Sequence, residues 1–182
     1  LRRSYDGKLM YVDVGAPVNK LLVIDTQTDK IIKEKALEQK DPHGIAISAD
    51  GEYIWIVNRQ SNSAIVFETE TDEVEIIPNI GDKPDLAEFS PDGQFLVVTL
   101  RGDKPATGDP HALAGKEAGI SVINTATKEV KKMPLPGGDP HGLAIRPVAE
   151  KPTQPSLLTG GFPWAVLAAL VIALVIALGM RS

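Results

Sequence analysis

The sequence predicts an all-β fold made of a repeated four-stranded antiparallel unit, followed by one apolar helix. Three observations support this fold class. A Ser-x-Asp-Gly motif recurs about every 42 residues, each copy is followed by a β-rich run and a Thr-containing turn, and the chain ends in an uncharged apolar stretch. A repeat period of about 20 to 50 residues is typical of solenoids and propellers, in which one supersecondary unit is stacked on the next.

Two short motifs define the repeat. The first is found as Ser4-Tyr5-Asp6-Gly7, Ser48-Ala49-Asp50-Gly51 and Ser90-Pro91-Asp92-Gly93. The second is found as Asp25-Thr26-Gln27-Thr28, Glu68-Thr69-Glu70-Thr71 and Asn124-Thr125-Ala126-Thr127. Because Asp and Gly favour tight turns between strands, we interpret the three Asp residues of the first motif as hairpin-turn residues and not as catalytic carboxylates.

The second repeat predicts four strands, over residues 44–48, 52–58, 64–68 and 74–77. We expect the strand over 52–58 to be half-buried, with alternating polar and apolar side chains. Short antiparallel strands with a turn signal about every 8 to 12 residues are typical of a blade of a β-propeller. Helical repeats would need a 3.6-residue period, which the sequence does not have.

Repeats begin near residues 1, 42, 84 and 140, so residues 1–147 are predicted to form about three and a half blades. Since propellers close with about four to eight blades, we expect further blades before residue 1. In the third repeat, residues 101–118 form a long insertion between the second and third strands, and long loops of this kind are often functional. Residues 148–161 are predicted to be a Pro- and Gly-bearing linker.

Residues 162–180 are predicted to be a single transmembrane helix. The stretch is almost wholly apolar, and no charged residue lies between Pro152 and Met180. At 1.5 Å per residue it reaches about 28 Å, close to the thickness of a hydrocarbon core. Residues 181–182 would form a short tail inside the cell, with the propeller on the extracytoplasmic side of the cell membrane.

Composition excludes some functions. With 19 Lys and Arg against 24 Asp and Glu, the chain is acidic, which argues against nucleic-acid binding. It contains no cysteine, so disulfides and thiolate chemistry are excluded. No phosphate-binding loop or nucleophile elbow is found.

The repeat resembles the YVTN family of β-propellers. The resemblance rests on PHGIAISADGEYIWIVN, which begins at Pro42, and on LLVIDTQTDKII, which begins at Leu21, and it covers roughly residues 1–147. Related propellers include surface-layer proteins, lactonase-like enzymes, and the propellers of cytochrome cd1 nitrite reductase and amine dehydrogenases. The resemblance implies a propeller fold in an extracytoplasmic setting, and it implies no particular activity.

All three histidines lie in the same tripeptide, as Asp41-Pro42-His43, Asp109-Pro110-His111 and Asp139-Pro140-His141. His43 and His141 precede the first strand of a blade, whereas His111 lies in the inserted loop. In an antiparallel four-stranded blade these connections emerge on the same face. We therefore name His43, His111 and His141 as candidate ligands for Zn²⁺ or Cu²⁺, beside the alternative that each histidine only fixes the start of a blade.

Ala165, Ala169, Ala173 and Ala177 recur at every fourth position of the predicted helix. A stripe of small residues lets helix backbones approach closely in lipid, which favours packing against the helix of another membrane subunit. The alternative is that the stripe is only apolar filler in an anchor.

Three hypotheses of function follow. We favour a non-enzymatic, membrane-anchored binding or scaffold module that serves as an accessory subunit of a membrane protein complex. The second hypothesis is an enzyme or redox-associated propeller that holds a metal or cofactor on its histidine-bearing face. The third is a surface-layer or adhesion protein.

Overall fold

The computed structural model describes residues 1–103 and 114–147, which belong to one unit spanning Leu1–Pro147. The described residues form twelve strands and no helix. The strands are β1 (Arg2–Arg3), β2 (Leu9–Val14), β3 (Lys20–Asp25), β4 (Lys30–Ala36), β5 (Pro42–Ile47), β6 (Tyr53–Asn58), β7 (Ser63–Glu68), β8 (Val74–Ile77), β9 (Pro84–Phe89), β10 (Phe95–Leu100), β11 (Gly119–Asn124) and β12 (Val130–Pro134).

The strands form three separate four-stranded sheets, and neighbouring strands in each sheet are antiparallel. Strands β1 to β4 make blade 1, β5 to β8 make blade 2, and β9 to β12 make blade 3, each in sequence order. The predicted β-propeller architecture is confirmed in these three blades, and the strands predicted in the second repeat lie within two residues of the observed ones.

Blade 2 lies between the other two blades, and both of its faces are covered. Ile54 and Ile56 of β6 pack toward blade 1, where they meet Tyr11, whereas Trp55 and Val57 pack toward blade 3. The expectation of a half-buried strand over 52–58 was therefore wrong. Residues 54–57 are apolar without interruption, which is the pattern of a strand buried on both sides.

The two repeat motifs are hydrogen-bonded to each other within each blade. In blade 2 the Ser48 hydroxyl donates to Asp50 at 2.5 Å, the Glu52 amide donates to the same carboxylate at 2.9 Å, and Gly51 adopts φ +77°. These hydrogen bonds, from Ser48 first, lower the pKa of Asp50. The Thr69 hydroxyl then donates to the carbonyl of Gly51 at 3.2 Å.

The same hydrogen bonds recur in the other two blades: Ser4 to Asp6 at 2.7 Å, Ser90 to Asp92 at 2.6 Å, Thr26 to Gly7 at 2.6 Å, and Thr125 to Gly93 at 2.9 Å. The interpretation of these Asp residues as turn residues is confirmed.

Consecutive blades are joined by an asparagine at the start of the third strand. Asn19 adopts φ +50°, and its side-chain oxygen accepts a hydrogen bond at 2.9 Å from the amide of Asp41. Asn62 adopts φ +55° and accepts the equivalent bond at 2.9 Å from the amide of Lys83. Asn tolerates this left-handed conformation better than most residues. Each asparagine thereby fixes the start of the following blade.

The fourth repeat is represented by residues 139–147, which contain no strand. A first strand of a blade is held by hydrogen bonds to the second strand of the same blade. Within the described part of the chain no such strand follows, because the repeat pattern ends at Arg146.

Blades 2 and 3 approach closely at Gly44, in the first strand of blade 2. A Cβ atom at this position would lie 2.5 Å from the carbonyl oxygen of Asp85 and 2.9 Å from the Cα of Leu86, and also 2.8 Å from Cγ2 of Val57. Both contacts with blade 3 are with backbone atoms, so a change of rotamer could not make room for a side chain. Gly142 holds the same place in the fourth repeat, and a Cβ there would meet nothing within 4 Å.

Gly44→Ala is expected to lower the free energy of unfolding by about 1 to 3 kcal/mol, because the added methyl group overpacks the contact between the two blades. Gly142→Ala, the matched control, is expected to change it by less than about 0.5 kcal/mol. Urea unfolding of the two variants checks this. Equal losses in both would contradict the described contact.

Candidate functional site

Three residues at one position of the repeat come together at the starts of the blades. Alignment of Pro42-His43, Pro84-Asp85 and Pro140-His141 places His43, Asp85 and His141 at equivalent positions in three successive repeats. Strand β5 begins at Pro42 and β9 begins at Pro84, so His43 and Asp85 are each the second residue of the first strand of a blade.

Both imidazoles lie beside the carboxylate of Asp85. His43 Nε2 is 3.3 Å from Asp85 Oδ1, and His141 Nδ1 is 2.6 Å from Asp85 Oδ2. The side chain of Asp85 is fully buried, whereas 27% of the His43 side chain and 50% of the His141 side chain are exposed. The carboxylate thus lies beneath two imidazoles that solvent can reach.

Arg59 completes this group, which we call the His–Asp cluster (His43, Arg59, Asp85 and His141). Arg59 follows strand β6 and makes a buried two-point contact with Asp41, with Nε 2.9 Å from Oδ2 and Nη2 3.3 Å from Oδ1. Its Nη1 lies 3.7 Å from Asp85 Oδ1. The guanidinium therefore supplies positive charge to two buried carboxylates, which reduces the cost of taking them out of water.

Arg101 occupies the position equivalent to Arg59 but pairs with a different repeat. Its own blade has Lys83 where blade 2 has Asp41, and Arg101 instead binds Asp139, with Nε and Nη2 each 2.8 Å from a carboxylate oxygen. The hydrogen bonds that Arg101 donates to Asp139 raise the pKa of Arg101. This ion pair holds the fourth repeat, and with it His141, against blade 3.

The environment of the cluster favours a neutral imidazole at His43. Burial lowers the pKa of His43, and the positive charge of Arg59 lowers it further, while the negative charges of Asp85, Asp13 and Asp41 act in the opposite direction. A neutral imidazole both donates and accepts hydrogen bonds. The cluster can therefore offer donors and acceptors at neutral pH.

Several buried polar atoms in the cluster have no aligned hydrogen bond among the described residues. They are both carboxylate oxygens of Asp85 and Nη1 of Arg59. Buried polar atoms in native proteins are nearly always paired, so such a group marks a strained or functional place.

A cavity of about 230 Å³ lies next to His43. The first strands of all three blades line it, together with Leu143 of the fourth repeat. At this cavity Arg2 Nη2 of blade 1 reaches Glu88 Oε2 of blade 3 at 2.6 Å, and Arg2 Nε donates to the carbonyl of Ile45 at 3.0 Å. The cavity is thus bordered by charged groups of both signs.

The predicted site residues meet different outcomes. His43 and His141 converge, as the prediction for that face requires, but on a carboxylate. His111 lies outside the described residues, as does the alanine stripe of Ala165, Ala169, Ala173 and Ala177. In residues 1–103 and 114–147, no group of three or more potential ligands has an arrangement that could hold a metal ion. The three-histidine metal site stays a prediction.

The predicted transmembrane segment, residues 162–180, also lies outside the described part of the chain. Within the described ranges, no helix is long and apolar enough to cross a membrane.

Sequence reasoning missed Asp85 and Arg59. The candidate ligands were all histidines, and Asp85 interrupts the Pro-His-Gly pattern. A signal was nevertheless present, since Pro84 aligns with Pro42 and Pro140 and marks Asp85 as the third member of one repeat position. Arg59 and Arg101 share a second such position, directly after the second strand of a blade.

Comparison with known proteins agrees with this architecture. The model of the family described as Lactonase, 7-bladed beta-propeller, matches residues 17–107. The matched segment is half of the chain, and it runs from the second-to-third-strand turn of blade 1 into blade 3. The chain belongs to this family of β-propellers.

Two individual proteins are similar to the chain. Antigen Lp49 of Leptospira interrogans is 25% identical over 151 residues, covering 79% of this chain and 33% of the antigen. Hydrazine synthase of Kuenenia stuttgartiensis superposes with a TM-score of 0.63 at 23% identity, covering 76% of this chain and 36% of that chain. The second likeness shows the fold alone. The chain spans about a third of the length of each protein.

The lowered pKa of His43 predicts acid sensitivity of the fold. At pH above the ordinary value of 6.5 the imidazole is neutral in both states, so it contributes no pH dependence. As the pH falls below that value, the unfolded chain takes up the proton first, and the free energy of unfolding decreases until the lower pKa of the folded state is passed.

His43→Gln is expected to remove this part of the acid sensitivity, because glutamine does not titrate. Urea unfolding of the wild type and of His43→Gln between about pH 7.5 and about pH 5.5 measures the difference in slope. Parallel pH profiles for the two proteins would show that His43 is not held in the described environment.

Proposed function

We propose that this chain is a binding or scaffold module that recognises a partner through the His–Asp cluster and the adjacent cavity. The proposal rests on the convergence of His43 and His141, from the second and fourth repeats, on the carboxylate of Asp85 from the third. This carboxylate is fully buried, and neither of its oxygens has an aligned hydrogen bond among the described residues. The turn residues of the repeat explain how the strands of a blade are connected, and they do not account for the ionisable groups at this position.

The chemistry of the cluster suits a polar contact. The buried carboxylate of Asp85 contacts both imidazoles on one side, and the exposed edges of the imidazoles supply donors and acceptors to a partner. A cavity of about 230 Å³ is large enough for one side chain or a small polar group of that partner. The charged pair of Arg2 and Glu88 at its border favours a group that carries its own charge or dipole.

The remaining parts of the proposal rest on sequence. The repeats are of the YVTN type, and residues 162–180 anchor the chain in the cell membrane with the propeller on the extracytoplasmic side. The partner is another subunit of a membrane protein complex, against whose helix the alanine stripe packs. The apolar length of residues 162–180 and the four-residue spacing of alanines support these statements.

A second candidate function is hydrolysis. His141 Nδ1 lies 2.6 Å from a fully buried carboxylate, and an imidazole oriented by a carboxylate can act as a general base toward water. The family description names lactonases, whose substrates are cyclic esters. In the form of this hypothesis that uses Zn²⁺ or Cu²⁺, His111 would join His43 and His141 as a ligand. The surface-layer or adhesion hypothesis has no comparable feature to support it.

The test compares the full-length chain with two double variants after purification in a mild detergent. His43→Ala with His141→Ala removes both imidazoles. Gln27→Ala with Gln94→Ala is the matched control, because these exposed residues lie at the other end of the blades. The wild type and the control are expected to co-purify with a stoichiometric partner, and the histidine variant is expected to retain at least about tenfold less, equivalent to about 1.4 kcal/mol.

Two results would contradict the proposal: a wild-type chain that runs alone, or a partner held equally by all three proteins. Turnover of a panel of lactones by the wild type, lost in the histidine variant and kept in the control, would instead support the second candidate. Resistance of the wild type to alkaline extraction from membranes tests the anchor separately.

A further inference from the structure

A second cavity, of about 430 Å³, lies between blades 2 and 3. It is at the end of the sheets that carries the Asp-Gly turns, whereas the His–Asp cluster lies at the other end. We call it the aromatic groove. Its wall is formed by Tyr53, Trp55, Val66 and Glu75 from blade 2, and by Phe89, Gly93, Thr125 and Lys128 from blade 3.

Aromatic rings form one side of this groove. Trp55 and Phe89 pack edge to face, with ring centroids 6.0 Å apart and an interplanar angle of 84°. Tyr53 borders the same space. The face of an indole ring carries partial negative charge and attracts cations more strongly than the other aromatic side chains do.

A cation of the chain itself already occupies this ring face. Lys128 Nζ lies 4.6 Å from the centroid of Trp55 and 3.5 Å from Glu75 Oε2, and it donates a hydrogen bond at 2.7 Å to the carbonyl of Thr125. A π face, a carboxylate and a carbonyl oxygen thus surround one ammonium group. All three interact favourably with positive charge.

The contact between blades 1 and 2 shows that the repeat does not require this arrangement. There, Lys33 Nζ pairs with Asp72 Oδ1 at 2.5 Å. Asp72 occupies the turn position of Lys128, with φ +62° against +63°, and Lys33 faces Val23 in the sheet as Glu75 faces Val66. The charges are therefore exchanged between the two contacts, and the ammonium group of Lys33 is paired with a carboxylate.

Because of this exchange, the cation between blades 2 and 3 is carried by Lys128, whose side chain can rotate away from the Trp55 ring. The Lys128 side chain is 27% exposed and extends from a turn, and the side chain of Glu75 is 56% exposed. Because its carboxylate is exposed, the Lys128–Glu75 ion pair by itself contributes little stability, about 0 to 1 kcal/mol. An external cation therefore has to replace mainly the contact of the Lys128 ammonium with the Trp55 ring and its hydrogen bond to the carbonyl of Thr125.

We propose that the aromatic groove binds a small organic cation, a primary or quaternary ammonium group, on the face of Trp55 in place of the Lys128 ammonium. The proposal does not depend on the proposed function, because the groove and the His–Asp cluster share no residue.

The test uses the fluorescence of Trp55. The chain has two tryptophans, so Trp164→Phe leaves Trp55 as the only one. The full-length Trp164→Phe chain, kept in a maltoside detergent that carries no ammonium group, is titrated with choline chloride. Sodium chloride controls for ionic strength, and 3,3-dimethylbutan-1-ol controls for shape, because it has the form of choline without the charge.

Choline is expected to give a saturable change of Trp55 emission that neither control reproduces. In the same background, Lys128→Met keeps the apolar stem but removes the competing charge, and it is expected to strengthen choline binding about fivefold or more. Adding Glu75→Gln to Lys128→Met removes the carboxylate when the competing lysine is already absent, and it is expected to weaken binding about threefold. Methylammonium in place of choline distinguishes a preference for primary from quaternary ammonium groups.

A linear response, or one that the neutral alcohol reproduces, would overturn the proposal. A saturable response that neither substitution changes would also overturn it, because the cation would then bind elsewhere. Should Lys128→Met fail to fold, Lys128→Gln, which also removes the competing charge, takes its place in both comparisons.

Discussion

The buried carboxylate of Asp85 is the constraint around which the starts of the blades are arranged. A carboxylate without exposed surface is costly unless positive charge or hydrogen-bond donors compensate it. The compensating groups come from elsewhere in the chain: His43 and Arg59 from blade 2, and His141 from the fourth repeat. Gly44 allows the required approach, since its missing side chain leaves room for the backbone of Asp85. The close packing at Gly44 and the charge compensation of Asp85 therefore occur at the same place, the start of blade 3.

The repeat separates architecture from chemistry. The Ser-x-Asp-Gly turn and the threonine that binds it keep the same hydrogen bonds in all three blades, because these residues connect strands of one blade. Other positions keep their place but change their residue. The start of the blade carries His, Asp and His in turn, and the ion pairs between neighbouring blades exchange their charges from one contact to the next. The carboxylate of Asp85 has partners from two other repeats, His43 and Arg59 in the second and His141 in the fourth.

The sequence was sufficient to predict the blades, since the 42-residue period, the turn motifs and the strand lengths are local properties. It was less reliable for burial: residues 52–58 were expected to alternate between polar and apolar, yet blade 2 lies between two neighbours and has apolar residues on both faces at 54–57. The His–Asp cluster was predicted in part. His43 and His141 were expected on one face, but Asp85 and Arg59 become relevant only when separate repeats meet, and that contact is not a local property of the chain.

Histidine NMR tests most directly whether Asp85 contacts both imidazoles at once. Ring signals of the full-length chain are assigned with single His→Gln variants and compared between the wild type, Asp85→Asn and the control Asp92→Asn, which alters an exposed turn. Asp85→Asn is expected to shift the ring signals of both His43 and His141, whereas Asp92→Asn is expected to shift neither. Unchanged signals of both histidines in folded Asp85→Asn would contradict this contact.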